Sequence, residues 1–234
     1  MSLIQVKPKI SLKAKLVSST PLKYIDLFCG IGSFHFSFAK LGWTCVIACD
    51  INPTSQQTYA QNYGQQPLGD IVDIDPQQIP GFDILCGGFP CQPFSNIGQH
   101  KGFNDERGTM FSQLMKFTKH HRPKVVVLEN VPALLSHDKG QTFTRISNEL
   151  IAENYVVKHS ILRCDDYGIP QMRKRLFVIA IRQDIANQNQ LDGIFDYSQY
   201  FQTITLSQYL GQNFENQLDK FCILNFILTN SSFW

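Results

Sequence analysis

From Lys23 onward, hydrophobic and polar positions fall into a repeating order of short apolar runs and longer mixed stretches. Residues 24–28, 44–49, 83–86 and 124–128 are apolar runs of strand length, and the last is a block of β-branched side chains. Between and after them, residues 34–41, 53–63, 110–121 and 142–153 read as helices, the second with Asn52 or Thr54 near its start. Residues 155–162 and 175–181 read as two further strands. Strands separated by helices predict an α/β fold, a mostly parallel sheet with helices on both faces. No internal repeat breaks the pattern.

The ends behave differently. Ile4, Val6, Pro8, Ile10, Leu12, Ala14 and Leu16 alternate with Gln5, Lys7, Lys9, Ser11, Lys13 and Lys15, a strand period with one basic face. An edge strand and a loosely ordered basic arm both fit residues 1–22, and Pro8 argues against a central strand. Those lysines either face solvent, as on any charged edge, or touch phosphates. After Asp184 the chain becomes rich in Gln and Asn, and residues 221–234 form an apolar tail that would be sticky if exposed.

With 234 residues, 43% hydrophobic and 17% charged, the chain suits one globular domain with a substantial core. A net charge of +2 does not advertise nucleic-acid binding by the whole surface, so any basic patch must be local. No apolar run is long enough to cross a membrane. Seven cysteines make an odd count without a Cys-x-x-Cys pair, and the opening residues lack the apolar core of a secretory leader. Reduced thiols and a cytoplasmic location are expected, and no metal.

Three constellations carry candidate chemistry. The first is the glycine turn in Asp26-Leu27-Phe28-Cys29-Gly30-Ile31-Gly32-Ser33, between a strand and a helix. Glycines there let a nucleoside lie against the backbone, and Asp50 ends the next strand at the offset where a carboxylate meets ribose hydroxyls. Phe28 could lie against an adenine ring, and Asp70 stands where a third such carboxylate is expected. No phosphate-binding loop of the Gly-x-x-x-x-Gly-Lys type is present, which disfavours a nucleoside triphosphate.

The second is Gly87-Gly88-Phe89-Pro90-Cys91-Gln92-Pro93-Phe94-Ser95, which places a thiol between two prolines after an apolar strand. Its companion is Glu129, which closes the apolar run 125–128. A carboxylate in such surroundings should have a raised pKa and serve as a proton donor; a helix cap or a lysine partner is the plainer alternative. The third is Gln171-Met172-Arg173-Lys174-Arg175 before the last strand. A strand period puts Gln171, Arg173 and Arg175 on one face, where guanidinium groups suit phosphate oxygens and a pyrimidine carbonyl.

In this order the blocks resemble the cytosine-C5 DNA methyltransferase family. The matching stretches are Asp-Leu-Phe-Cys-Gly-Ile-Gly, Gly69-Asp70-Ile71, Gly-Phe-Pro-Cys-Gln-Pro-Phe-Ser, Arg107-Gly-Thr-Met-Phe111, Glu129-Asn130-Val131 and Gln-x-Arg-x-Arg, across roughly residues 23–182. The resemblance implies a Rossmann-like S-adenosylmethionine-dependent methyltransferase fold and DNA (cytosine-5-)-methyltransferase activity. It implies Cys91 as the nucleophile that adds to C6 of cytosine, Glu129 at N3, and Arg175 at O2 with Arg173 in support. Gln92, Ser95, Asn130 and Gln171 would meet the substrate. Phe28, Gly30, Gly32, Asp50, Ile51, Asp70, Ile71 and Pro90 would form the S-adenosylmethionine pocket. The partner implied is double-stranded DNA with a flipped cytosine, in a restriction-modification setting, with residues 92–108 as a closing lid. If bacterial, the protein would work at the nucleoid.

Departures accompany the likeness. Ser33 stands where the family usually has a glycine, and Asp50 where it usually has a glutamate. Residues 183–234 do not show the target-recognition domain or the C-terminal helix that completes the cofactor pocket, so the fold is expected to be C-terminally incomplete. A second polypeptide carrying those parts, and a truncated remnant that binds cofactor or a partner, are both open expectations. A tRNA-directed relative of the same fold is the alternative enzyme.

Overall fold

The computed structural model describes residues 21–90, 110–167, 171–186 and 194–195. Six strands and four α-helices succeed one another as β1 (Lys23–Leu27), α1 (Ser33–Ala39), β2 (Thr44–Cys49), α2 (Pro53–Tyr63), β3 (Ile84–Gly87), α3 (Met110–His121), β4 (Val125–Asn130), α4 (Gln141–Ala152), β5 (Tyr155–Arg163) and β6 (Lys174–Arg182). Every element expected between Lys23 and Arg182 is found, with boundaries that agree or shift by at most two residues. The basic N-terminal segment and most of 183–234 lie outside the described residues.

The strands make one sheet in the order β2-β1-β3-β4-β6-β5. β1 to β4 pair in parallel, whereas β6 is antiparallel to both its neighbours. All strands but β6 therefore run the same way. The cause is local: residues 164–173, between β5 and β6, are too few to cross back over the sheet as a helix, so the chain doubles back.

Alternation along β1 shows how the two faces divide. Ile25 and Leu27 join Leu85, Val126, Leu128 and Val178 on the face covered by Phe111, Leu114 and Phe117 of α3 and Ile146 and Leu150 of α4. Tyr24 joins Ile84, Val125, Val127 and Ile179 on the other face, beneath Phe38 of α1 and Trp43. Helices thus cover both faces, as the pattern predicts. Each fully buried aliphatic side chain in these layers contributes about 1.5–3 kcal/mol relative to exposure. Ile194 is buried against the second layer with Leu22 and Trp43, so part of the region after Asp184 returns to the sheet.

α2 starts where the sequence marks it. The Asn52 side chain accepts from the backbone amides of Thr54 (2.9 Å) and Ser55 (3.1 Å), and Pro53 occupies the first turn, where no donor is missed. Asn52 is the cap, and Thr54 is its client.

Candidate active site

The carboxyl ends of β1 to β4 lie at one edge of the sheet. Because β6 runs backwards, its beginning lies at that same edge, beside the end of β4. Asn130 faces Leu176 and Glu129 faces Phe177 in the ladder. Arg175 is then the diagonal neighbour of Glu129, two residues along on the same face, within reach of a long side chain. The two meet: Arg175 Nε stands 2.8 Å from Glu129 Oε1, and both side chains are about one quarter exposed. The lone carboxylate in an apolar site that the sequence suggests is not what stands here. Half-burial and the arginine partner replace it, because only the antiparallel return of β6 brings the guanidinium to β4.

Arg173, Gln171 and Met172 precede the strand and are exposed. The Arg173 amide donates to the Gln171 carbonyl at 2.8 Å, which folds the chain sharply at Met172. The period of two therefore does not extend back to Gln171. Of the Gln-x-Arg-x-Arg block, Arg175 alone is placed at Glu129.

Two neighbours hold the exit of β3 against this pair. A Cβ at Gly88 would stand 3.1 Å from Glu129 Oε2, so glycine there leaves room for the carboxylate. Asn130, buried at the end of β4, donates from Nδ2 to the Phe89 carbonyl at 2.8 Å and accepts from the Val131 amide at 2.9 Å. Its amide thereby ties β4 to the Gly-Gly-Phe-Pro segment. Phe89 is buried against Phe111, and Pro90 is exposed at the sheet edge. Cys91, Gln92 and Ser95 follow, with the expected lid, outside the described residues.

At the ends of β1 and β2 the chain makes a strained turn. Phe28 (φ 57), Gly30 (φ 54) and Gly32 (φ 95) are all left-handed, and for a phenylalanine that conformation is uncommon. Asp50 holds the turn through Oδ2, which accepts from the Gly30 amide, while Oδ1 accepts from the Asn52 amide at the start of α2, each at 2.8 Å. Each oxygen keeps a second lone pair for a ligand hydroxyl. Ile51 (72% exposed) and Ile31 (58%) stand clear of the core on either side. Asp70 caps a 3-10 turn through the Val72 amide, and Ile71 behind it is buried in the core. Fixed donors, a carboxylate with spare acceptor capacity and exposed apolar side chains fit a nucleoside carrying a ribose diol, as S-adenosylmethionine does.

Sequence reasoning missed the support under this turn. Tyr63 donates to the Gly32 carbonyl at 3.0 Å, and a Cβ on Gly32 would fall 2.2 Å from the Tyr63 ring. His35 stacks on Tyr63 with ring centres 4.1 Å apart, and its Nδ1 stands 2.6 Å from the Tyr59 hydroxyl. The spacing of Tyr59 and Tyr63, one helical turn apart on α2, was the available signal. Burial pushes the thiols of Cys45 and Cys49 up to about 12, so they are protonated packing groups. Among the described residues no helix is long and apolar enough to cross a membrane.

An open, largely parallel sheet with helices on both faces, a glycine turn after its first strand and a carboxylate after its second define a Rossmann-like methyltransferase fold. Solved structures of that class agree: S. pombe Dnmt2 methyltransferase superposes with a TM-score of 0.61 at 21% identity, over 83% of this chain and 63% of that one. The chain belongs to the C-5 cytosine-specific DNA methylase family, whose model matches residues 22–232. It is 42% identical over 199 residues to the type II methyltransferase M.DsaV of Dactylococcopsis salina, covering 85% of this chain and 55% of that protein. To the type II methyltransferase M.HhaI of Haemophilus parahaemolyticus it is 41% identical over 170 residues, covering 73% and 52%. The chain thus spans about half the length of these relatives.

Proposed function

We propose that this chain is the catalytic part of a DNA cytosine-C5 methyltransferase of a type II restriction-modification system. The observation that carries the reading is the Glu129–Arg175 pair, set beside the exit of β3 one step before Pro90-Cys91. Family membership and the type II relatives favour DNA over a tRNA substrate.

Cytosine C5 is a poor nucleophile, and a thiolate added at C6 turns the ring into an enamine that is a good one. Cys91 is assigned that addition. Glu129 holds the N3 edge and supplies a proton as negative charge develops in the ring; Arg175 keeps the carboxylate oriented through Nε, donates from Nη1 to the Lys174 carbonyl at 2.8 Å, and is assigned to the O2 side of the base. Asn130 fixes the backbone at Phe89, two residues before Cys91 in the sequence. S-adenosylmethionine, when bound at the Phe28–Gly32 turn with Asp50, Ile51, Asp70 and Pro90 around it, supplies the methyl group. Loss of the C5 proton then expels the Cys91 thiolate and restores the aromatic ring. The target base must leave the duplex to reach these groups, which calls for DNA-gripping surface beyond Glu129 and Arg175. Gln92, Ser95, Gln171 and Arg173 are assigned to the strand around the base. Target recognition is assigned to further sequence or to a second polypeptide, and the site of action to the DNA of the cytoplasm.

The test is methyl transfer from radiolabelled S-adenosylmethionine to duplex DNA and to tRNA, with and without the product of an adjacent reading frame. Label recovered from DNA as 5-methylcytosine supports the reading. Label recovered only from tRNA overturns it, as does cofactor binding without transfer to either substrate in the presence of the neighbouring product.

A further inference from the structure

Asp26 is the one charged residue whose side chain the sheet buries completely among the described residues. It lies on β1 directly before the glycine turn, on the face covered by α1. Its Oδ1 stands 3.7 Å from the Cys86 thiol, which also points at the Ile25 carbonyl at 3.2 Å, and its Oδ2 meets no donor. The backbone amide of His35, in the first turn of α1, favours its ionised form. That helix has Gly32 at its cap position and no side-chain cap of its own. A carboxylate reaching up from the strand beneath takes the role that a Ser or Asp at position 32 would fill, and Tyr63 excludes any side chain at position 32.

A buried carboxylate with so few donors is costly when ionised, and native structures rarely keep one without a use. Ionised, it attracts the amides in the first turn of α1 and draws the Gly30–Gly32 turn onto the sheet. Protonated, it loses most of that attraction, and the turn is held by Asp50 and Tyr63 alone. We infer that Asp26 is a positioning residue for the cofactor turn, and that its ionised form is the one in which the turn is set for S-adenosylmethionine. This rests on the cofactor reading above.

The surroundings isolate its titration. Burial raises the Cys86 thiol on β3, Cys45 and Cys49 on β2 and Cys29 in the turn, so all four are neutral near pH 7. It likewise raises Tyr24 on β1 and Tyr59 and Tyr63 on α2, and lowers His35 on α1, so these too are uncharged there. The Asp50 carboxylate beyond the turn is the other charged neighbour and adds repulsion. Burial foremost, with that repulsion, pushes Asp26 up to about 7. If only the ionised form is competent, apparent affinity follows its population and changes about tenfold between pH 6 and pH 8.

The experiment is calorimetric titration of the full chain with S-adenosylmethionine across that range, for the wild type and Asp26→Asn. The expected result is wild-type affinity about tenfold weaker at pH 6 than at pH 8, with Asp26→Asn flat at the weak end while its melting temperature is no lower than that of the wild type. A wild type with flat affinity, or an Asp26→Asn protein with the wild-type profile, overturns the inference. Should Asp26→Asn not fold, the wild type in two buffers of different ionisation enthalpy decides. Release of about half a proton at pH 7, beyond that of the cofactor's own amino group, supports the inference, and no release overturns it. Absence of cofactor binding at every pH would overturn the cofactor reading and this inference together, whereas binding with a flat profile removes this inference alone.

Discussion

Replacing Gly32 by alanine separates two costs that the turn normally avoids. Gly32 adopts φ +95, and a Cβ there would lie 2.2 Å from Cε2 of Tyr63 and 3.0 Å from Cδ2 of Tyr59. Gly30, two residues earlier, is also left-handed at φ +54, yet a Cβ there meets nothing within 4 Å. Gly30→Ala therefore carries backbone strain alone, about 1–2 kcal/mol. Gly32→Ala carries that strain plus overpacking against the α2 tyrosines, about 1–3 kcal/mol more. For a domain of this size the extra term lowers Tm by a further 2–12 °C or about that. Thermal melts of both variants read the difference, and Tyr63→Leu in the Gly32→Ala background should recover part of it. Cofactor titration should rank them oppositely relative to their stability losses, with Gly30→Ala losing affinity despite its milder melt. Equal melting temperatures for the two alanine variants, or no recovery with Tyr63→Leu, would refute the packing argument.

Three other expectations follow from the same geometry. Glu129→Gln keeps a hydrogen bond to Arg175 but loses the charge and the proton, so methyl transfer should fall by about 10²–10⁴-fold with little change in cofactor affinity; an active variant would remove Glu129 from the chemistry. Asn130→Ala strips the Phe89 carbonyl of its buried donor and should cost about 1–3 kcal/mol in urea denaturation while also slowing alkylation of Cys91; unchanged alkylation would show that Asn130 does not position the thiol. Asp26 takes up its proton more readily folded than unfolded, so its contribution to stability is present below its ordinary value of 3.8 and is lost as pH rises through about 7. Urea titrations should show a fall of about 1.4 kcal/mol per pH unit between those limits, absent in Asp26→Asn; a stability rising with pH there would contradict the burial of an unpaired carboxylate.

The strands and helices were legible because each apolar run matched one period and glycine, proline or asparagine stood at its ends. The bounds of β2, α2 and α3 agree to the residue. The reversal of β6 had its signal in the short stretch 164–173, which leaves no length for a crossover helix, but periodicity carries no information on strand direction. That reversal decides the site. Without it, Glu129 reads as an isolated carboxylate and Gln171, Arg173 and Arg175 as one face, whereas the register delivers Arg175 to Glu129 and leaves the other two exposed. Asp26 was visible as a carboxylate alternating with Tyr24 on the apolar face of β1, and its burial could have been inferred from that alone. Tyr59 and Tyr63 were legible as a pair one helical turn apart, but their clamp with His35 was not, since it depends on how α1 and α2 pack together over the turn.

The most direct test of the central claim is covalent capture. A duplex with 5-fluorocytosine at varied sites is incubated with S-adenosylmethionine, the chain and the product of any adjacent reading frame, and the adduct is read by denaturing gel and peptide mass. Fluorine at C5 leaves no proton to remove, so a working enzyme should remain attached to the base through Cys91, and Cys91→Ser should abolish the adduct. Cofactor binding with no adduct under any of these conditions, or an adduct that survives Cys91→Ser, would contradict the assignment of cytosine-C5 methylation to this site.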